Sequence, residues 1–251
     1  MYDDAVISGE GFDLTGDSIS AGFELGEMRS IHAFEEATAS GERFRLGADQ
    51  IRARLAGDQV EMIWAFGEGR SLASSGRLTL AGDSIEFAFI EGLADSVSAV
   101  GTAAAEQEME GAAPPSSPAD TSLVPAPIPG EADTLAAARV DLVEPDLGID
   151  PGSSWIAGDT VRAWFEPDPE AALEAASAEE GRARIRRLRA IGAARSFFAA
   201  VRDSVRSSDP SRNYLLGGTI QIDFVDGEPQ TLSGTDAIGV YLEPAEEGDR
   251  G

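Results

Sequence analysis

Few residues of this chain are equipped for catalysis, and their spacing limits what they can do. There is one histidine, His32, and no cysteine. A Ser-His-Asp relay or a transition-metal site needs imidazoles or thiolates that the chain does not supply. His32 lies between Ile31 and Ala33, in the polar phase of an alternating stretch, and is expected on the solvent side of a strand. Carboxylates are abundant: 45 Asp and Glu face 19 basic residues, all Arg, for a formal charge of −26. Four of them, Asp17, Asp49, Asp83 and Asp159, recur at one place in a repeated pattern. Calcium coordination wants several oxygen ligands within about a dozen residues, and each unit offers one regularly placed carboxylate. The expectation is an Asx-type bond from each Asp to local backbone where a strand begins. The strip Arg182, Arg184, Arg186, Arg187 and Arg189 is the one cationic stretch that a polysaccharide-cleaving solenoid could use, and no set of acids converges on it. No glycine-rich loop leads into a helix to cradle phosphate. The reading is a non-enzymatic protein with no cofactor and no metal.

The charge balance also restricts partners. Nucleic-acid affinity comes largely from cationic contacts to phosphate, so no nucleic acid is expected. Docking flat on an anionic bilayer is disfavoured for the same reason. No apolar run approaches the roughly 20 residues of a membrane-spanning helix. Residues 1–12 show neither the basic nor the apolar region of a signal peptide. That leaves a cytosolic protein, a mature form or a fragment as readings of this end.

The elements that must carry these residues are strands. In residues 78–101, Ile85, Phe87 and Phe89 alternate with Glu86 and Ala88, Gly92 supplies a turn, and Val97, Ala99 and Gly101 return in one parity. Period two of this kind describes a β-hairpin with one dry and one wetter face. The unit recurs. Leu14-Thr15-Gly16-Asp17 leads to Ile19, Ala21 and Phe23, then Ile31 and Ala33. Leu46-Gly47-Ala48-Asp49 leads to Ile51, Ala53 and Leu55, then Ile63, Ala65 and Gly67. Ile156-Ala157-Gly158-Asp159 leads to Val161, Ala163 and Phe165, then Leu188, Ala190 and Gly192. A weaker copy runs Leu216-Gly217-Gly218-Thr219 into Ile220, Ile222 and Phe224. The 32 and 34 positions from Asp17 to Asp49 and from Asp49 to Asp83 mark an array whose units bury apolar faces on their neighbours.

The pattern L-x-G/A-D-x-I-x-A-x-F, a glycine turn, then I-x-A-x-G resembles the OstA-like repeat. That repeat forms the organic-solvent-tolerance N-terminal domain shared by the LptA, LptC and LptD proteins of lipopolysaccharide export. The resemblance rests on residues 14–23, 46–55, 80–89 and 156–165, completed by Ala65–Gly67, Ala99–Gly101 and Ala190–Gly192. It implies an all-β fold of repeated hairpins stacked into an open, twisted β-jelly roll, or β-taco, whose apolar inside holds acyl chains. It also implies a periplasmic location, a lipopolysaccharide-like or other envelope lipid as ligand, and end-to-end strand pairing with other Lpt-type proteins. The expected lipid groove is Ile19, Ala21, Phe23, Ile31, Ile51, Leu55, Ile63, Ile85, Phe87, Phe89, Val97, Val161, Phe165, Leu188, Ile220, Ile222 and Phe224. The competing reading is a self-assembling β-repeat scaffold with a closed core and no lipid.

Domain organisation follows composition. Residues 1–102 hold three repeats, and 103–138, rich in Pro, Ala, Ser and acids, read as a disordered insert. Residues 139–244 continue the same β-taco with two repeats, and 245–251 form a disordered tail. A short exposed helix is expected within 167–184, after Pro169.

Overall fold

The computed structural model describes residues 5–9, 11–41, 44–57, 59–76, 78–90, 92–107, 154–167, 183–200, 211–226 and 228–242. Most of 103–138, the expected helix after Pro169 and the tail lie outside the described residues. The described chain is strand and turn throughout: β1 (Ala5–Gly9), β2 (Phe12–Gly16), β3 (Ser18–Glu24), β4 (Glu27–Gly41), β5 (Phe44–Ala56), β6 (Gln59–Ser75) and β7 (Leu78–Ile90). Then follow β8 (Leu93–Gln107), β9 (Ser154–Pro167), β10 (Ala183–Ala200), β11 (Ser211–Val225), β12 (Glu228–Thr235) and β13 (Ile238–Leu242). One boundary moves. Strand β8 runs on to Gln107, and Ala103 and Ala105 are fully buried in the core, so the insert cannot begin at 103. Alanine-rich composition hid a strand whose small side chains are required by their position.

All neighbouring strands are antiparallel and follow the chain, in the order β1-β2-β4-β5-β6-β7-β8-β9-β10-β11-β12, with β3 beside β4 and β13 beside β11. Tight glycine turns make this meander possible. Leu25 and Gly26 both take positive φ, 53° and 87°, as a two-residue type I′ connection needs.

The strands are long because each is bent. Their pairing shifts register between Gly47 and Gln50, Phe66 and Ser71, Ala81 and Ser84, Val100 and Ala103, and Ile191 and Ala194. Bulges at matching positions in successive strands crease the whole sheet. Inner side chains on the crease are small: Gly16, Ala37, Ala48, Ser71, Gly82, Ala103, Gly158, Ala194 and Gly217. A Cβ on Gly82 would come 3.0 Å from the Val100 carbonyl oxygen, so any other residue there would require the neighbouring backbone to give way.

The crease divides the sheet into two leaves. The first carries Leu46, Ala73, Leu80, Ala105 and Ile156 inward; the second carries Ile51, Ile63, Ile85, Val97 and Val161 inward. All belong to one buried cluster. The result is an open, twisted β-jelly roll: two leaves joined along one crease, facing each other across a shared apolar interior. Near each end of the sheet a strand is broken at the crease, β2 from β3 at Asp17 and β12 from β13 at Asp236.

Candidate functional site: the apolar wedge

Alternation brings the expected groove residues together on the inside of the second leaf. Ile31, Ile51, Ile63, Ile85, Phe87, Val97, Val161, Phe165, Leu188, Ile220, Ile222 and Phe224 are buried there. Ile19, Leu55 and Phe89 are partly buried against them. Two residues fall outside. Phe23 is 66% exposed and Ala21 is exposed as well. Both lie on β3, which among the described strands pairs with β4 alone, and the register shifts between Gly22 and Phe23. An edge strand lacks the neighbour that would cover its inner face.

The opposite wall was missed by the sequence reading. It is built from Phe12, Leu14, Phe44, Leu46, Leu78, Leu80 and Ile156 of the first leaf. The signal was present in the repeat: Leu14, Leu46, Leu80 and Ile156 are its leading apolar residue. Strict alternation puts that residue, five positions before the Ile or Val, on the other face of the sheet, and the register shift between them returns it to the inner face. The crease between them turns it to face the other way across the wedge.

The two walls touch at the mouth, where the far ends of the leaves meet. The Phe44 ring on the first leaf lies 5.4 Å from Phe87 and 5.3 Å from Phe89 on the second, centroid to centroid. Phe87 and Phe89 stack at 6.0 Å. This is the range in which aromatic rings attract beyond simple area burial. Among the described residues no buried position carries an ionised side chain. The buried polar groups among described residues are Ser71, Ser75, Ser154 and Ser196, and the hydroxyls of Ser71 and Ser196 find no hydrogen-bond partner.

Charge is kept to the outer face. Trp64 Nε1 donates to Glu86 at 2.8 Å, Arg54 pairs with Glu61 at 3.1 Å, and Arg187 pairs with Asp223 at 2.6 Å. Hydrogen bonds from Gln221 and Arg187 hold the Asp223 carboxyl below its ordinary value. His32 is also on this face, as expected, with its ring 3.9 Å from Phe34 and Nε2 3.2 Å from Gln50 Oε1. A surface cavity of about 770 Å³ lined by Arg29, Arg52, Arg54, Trp64 and Phe66 opens outward, away from the wedge. Among the described residues no group of three His, Asp or Glu could hold a metal ion.

The recurring aspartates do something other than open strands. Asp49, Asp83 and Asp159 lie in mid-strand, at the crease, and reach across to the neighbouring strand, while Asp17 lies in the break between β2 and β3. The Asp49 carboxylate accepts the Gly69 backbone N–H at 2.8 Å. The carboxyl carbons of Asp49, Asp83 and Asp159 stand 2.7, 2.6 and 2.7 Å from where a Cβ on Gly67, Gly101 and Gly192 would be. The A-x-G ending of the repeat is therefore the partner of its G-D beginning. In the last unit the pair is reversed. Gly218, two residues before Ile220, holds the aspartate position, not Thr219, and Asp236 with φ 51° lies across from it.

The chain matches no family model, and no curated protein matches it. Among solved structures it is similar to LptH of Pseudomonas aeruginosa, described as the LptA-homologous periplasmic component of the lipopolysaccharide transport device. The identity is 14%, the match covers 80% of this chain and 95% of that one, and the TM-score is 0.41. The two-leaf architecture rests on the strand pairing of this chain itself.

Proposed function

We propose that this protein is a non-enzymatic lipid-binding and transport module of the cell envelope, holding acyl chains of a lipopolysaccharide-like lipid between its leaves. The observation that carries this reading is the uncharged continuity of the wedge. Among the described residues every buried position from Ile51 through Phe87 and Val161 to Ile222 is apolar or a serine and none is charged, while Arg52, Glu86, Arg162 and Asp223 occupy the alternate phase. A desolvated unpaired charge would obstruct an alkyl chain by several kcal/mol. Each CH₂ transferred from water is worth about 0.8 kcal/mol, so a few chains suffice for binding without a charged contact. The mouth is held by ring contacts of Phe44 with Phe87 and Phe89, which can part without breaking the backbone ladder. The repeat resemblance points the same way, and to a periplasmic setting with β-augmentation at the end strands by related proteins.

Photo-crosslinkers at Ile51, Phe87 and Phe165 should capture envelope lipid in cells, and ones at Glu86 and Arg162 should not. Lipid mass spectrometry of the purified protein should find bound amphiphile. Equal capture on both faces, or none on either, sinks the proposal.

One observation favours a second reading, the closed-core scaffold. Ile51, Phe87 and Val161 are 0% exposed, so the leaves are packed together without a ligand. Lipid-free protein that forms fibres through its end strands would support it.

A further inference from the structure

The outer face of the second leaf holds arginines that the sheet leaves without acidic neighbours. Arg52 and Arg54, both exposed, project from β5 in the phase opposite to the buried Ile51 and Ala53. Directly across the ladders, Arg52 faces His32 on β4 and Trp64 on β6, and Arg54 faces Ser30 and Met62. None of these four is acidic, although opposite charges across a ladder stabilise the pair. Further along the same face the chain does use that device: Arg187 has Asp223 directly opposite, at 2.6 Å. With 45 carboxylates against 19 arginines, acidic partners are in ample supply. Among the described residues Arg52 nevertheless has neither an ion pair nor a hydrogen bond.

Arg29, Arg52 and Arg54 line one outward-opening cavity of about 770 Å³, together with Trp64, Phe66 and Leu55. The Trp64 ring is fixed by its Nε1 bond to Glu86 at 2.8 Å, and the Arg54 guanidinium lies 5.7 Å from the ring centroid. Glu24, exposed at the end of β3, is the one carboxylate among the described residues lining the cavity. Two of the arginines have acids beside them: Arg29 pairs with Glu27 at 2.7 Å and Arg54 with Glu61 at 3.1 Å. These four side chains are between 41% and 61% exposed, and exposed pairs hold weakly enough to yield to a better anion.

We propose that this cavity binds a phosphorylated sugar. Guanidinium forks match phosphate oxygens two at a time, and three of them line the same space. The volume is that of a small-molecule site and exceeds what a bare ion needs. Trp64, Phe66 and Leu55 supply an apolar wall for the ring that carries the phosphate. A long polyanion is disfavoured, because beyond the cavity the net charge of −26 repels it. A free sugar phosphate and a phosphorylated lipid headgroup share this chemistry. The site faces away from the wedge and does not depend on what the wedge holds.

The test uses the full chain and titration calorimetry at low ionic strength, with glucose 6-phosphate, glucose and inorganic phosphate as probes. Glucose 6-phosphate should bind, glucose should give no heat, and inorganic phosphate should bind several-fold more weakly. Arg52→Gln should weaken glucose 6-phosphate about tenfold, as expected for one charged hydrogen-bonding group. Arg187→Gln, which removes the same charge from the same face, should leave the affinity unchanged. Glu61→Gln should tighten it several-fold by releasing Arg54. Trp64→Leu should weaken glucose 6-phosphate and leave inorganic phosphate unaffected, and it serves as the second variant if Arg52→Gln loses its strand signal in circular dichroism. Co-sedimentation with phosphatidylcholine vesicles containing phosphatidylinositol 4-phosphate tells the sources apart. Retention that Arg52→Gln abolishes assigns a lipid headgroup, and calorimetric binding without retention assigns the free sugar phosphate. No binding of either phosphorylated probe, equal weakening by Arg187→Gln, weakening by Glu61→Gln, or inorganic phosphate bound as tightly as the sugar phosphate would each overturn the proposal.

Discussion

The carboxylate of Asp83 stands against the Cα of Gly101 on the next strand, in the space a side chain there would need. Gly101 also has φ 78°, a left-handed conformation that strains any residue with a Cβ. Two separate costs therefore meet at one position. Gly101→Ala should destabilise by about 2–4 kcal/mol, combining strain and overlap. In an Asp83→Gly background the same change should cost only about 1–2 kcal/mol, the backbone part. A double-mutant cycle from urea unfolding measures the difference, and equal costs in both backgrounds would show that the carboxylate is not the obstacle.

Phe87 is fully buried between Phe44 and Phe89. Phe87→Ala should cost about 3–5 kcal/mol, as in a packed core. Glu86→Ala, on the outer face, loses the Trp64 hydrogen bond and should cost about 1 kcal/mol. Chemical denaturation of both variants checks the assignment, and a larger loss at Glu86 would reverse the two faces.

Deleting 110–138 and joining the flanks with a short Gly/Ser linker should leave thermal unfolding nearly unchanged. The motive is its composition, too poor in large apolar groups to offset ordering entropy. A deletion that starts at 103 should instead abolish cooperative unfolding, because Ala103 and Ala105 are core. Differential scanning calorimetry of the two deletions distinguishes them.

Asp223 is held below its ordinary carboxylate value by Gln221 and Arg187. A depressed folded pKa contributes stability above the unfolded value, and that contribution disappears as pH falls through the folded one. Asp223→Asn should therefore lower Tm slightly at pH 7, with the gap to the native chain closing as pH falls below the ordinary carboxylate range. The effect should be small because the pair is on the surface. A gap that widens in acid would contradict the sign.

Sequence by itself determined the strands, their parity and their turns. Period two in Ile85-x-Phe87-x-Phe89 put these side chains on one face, and Gly26, Gly57 and Gly92 made the connections. Both are local properties, written within a dozen residues. Only the tertiary structure decided that each strand is bent. A bulge is visible only against the neighbouring strand, so nothing in Leu80-Ala81-Gly82-Asp83 announces that Leu80 and Ile85 end on opposite walls. The same holds for the aspartates: Asp83 answers to Gly101, eighteen residues away in sequence and adjacent only once β7 and β8 have paired. Phe23 carried the right pattern and still stayed in water, because position in the sheet, not alternation, supplies the neighbour that buries a side chain.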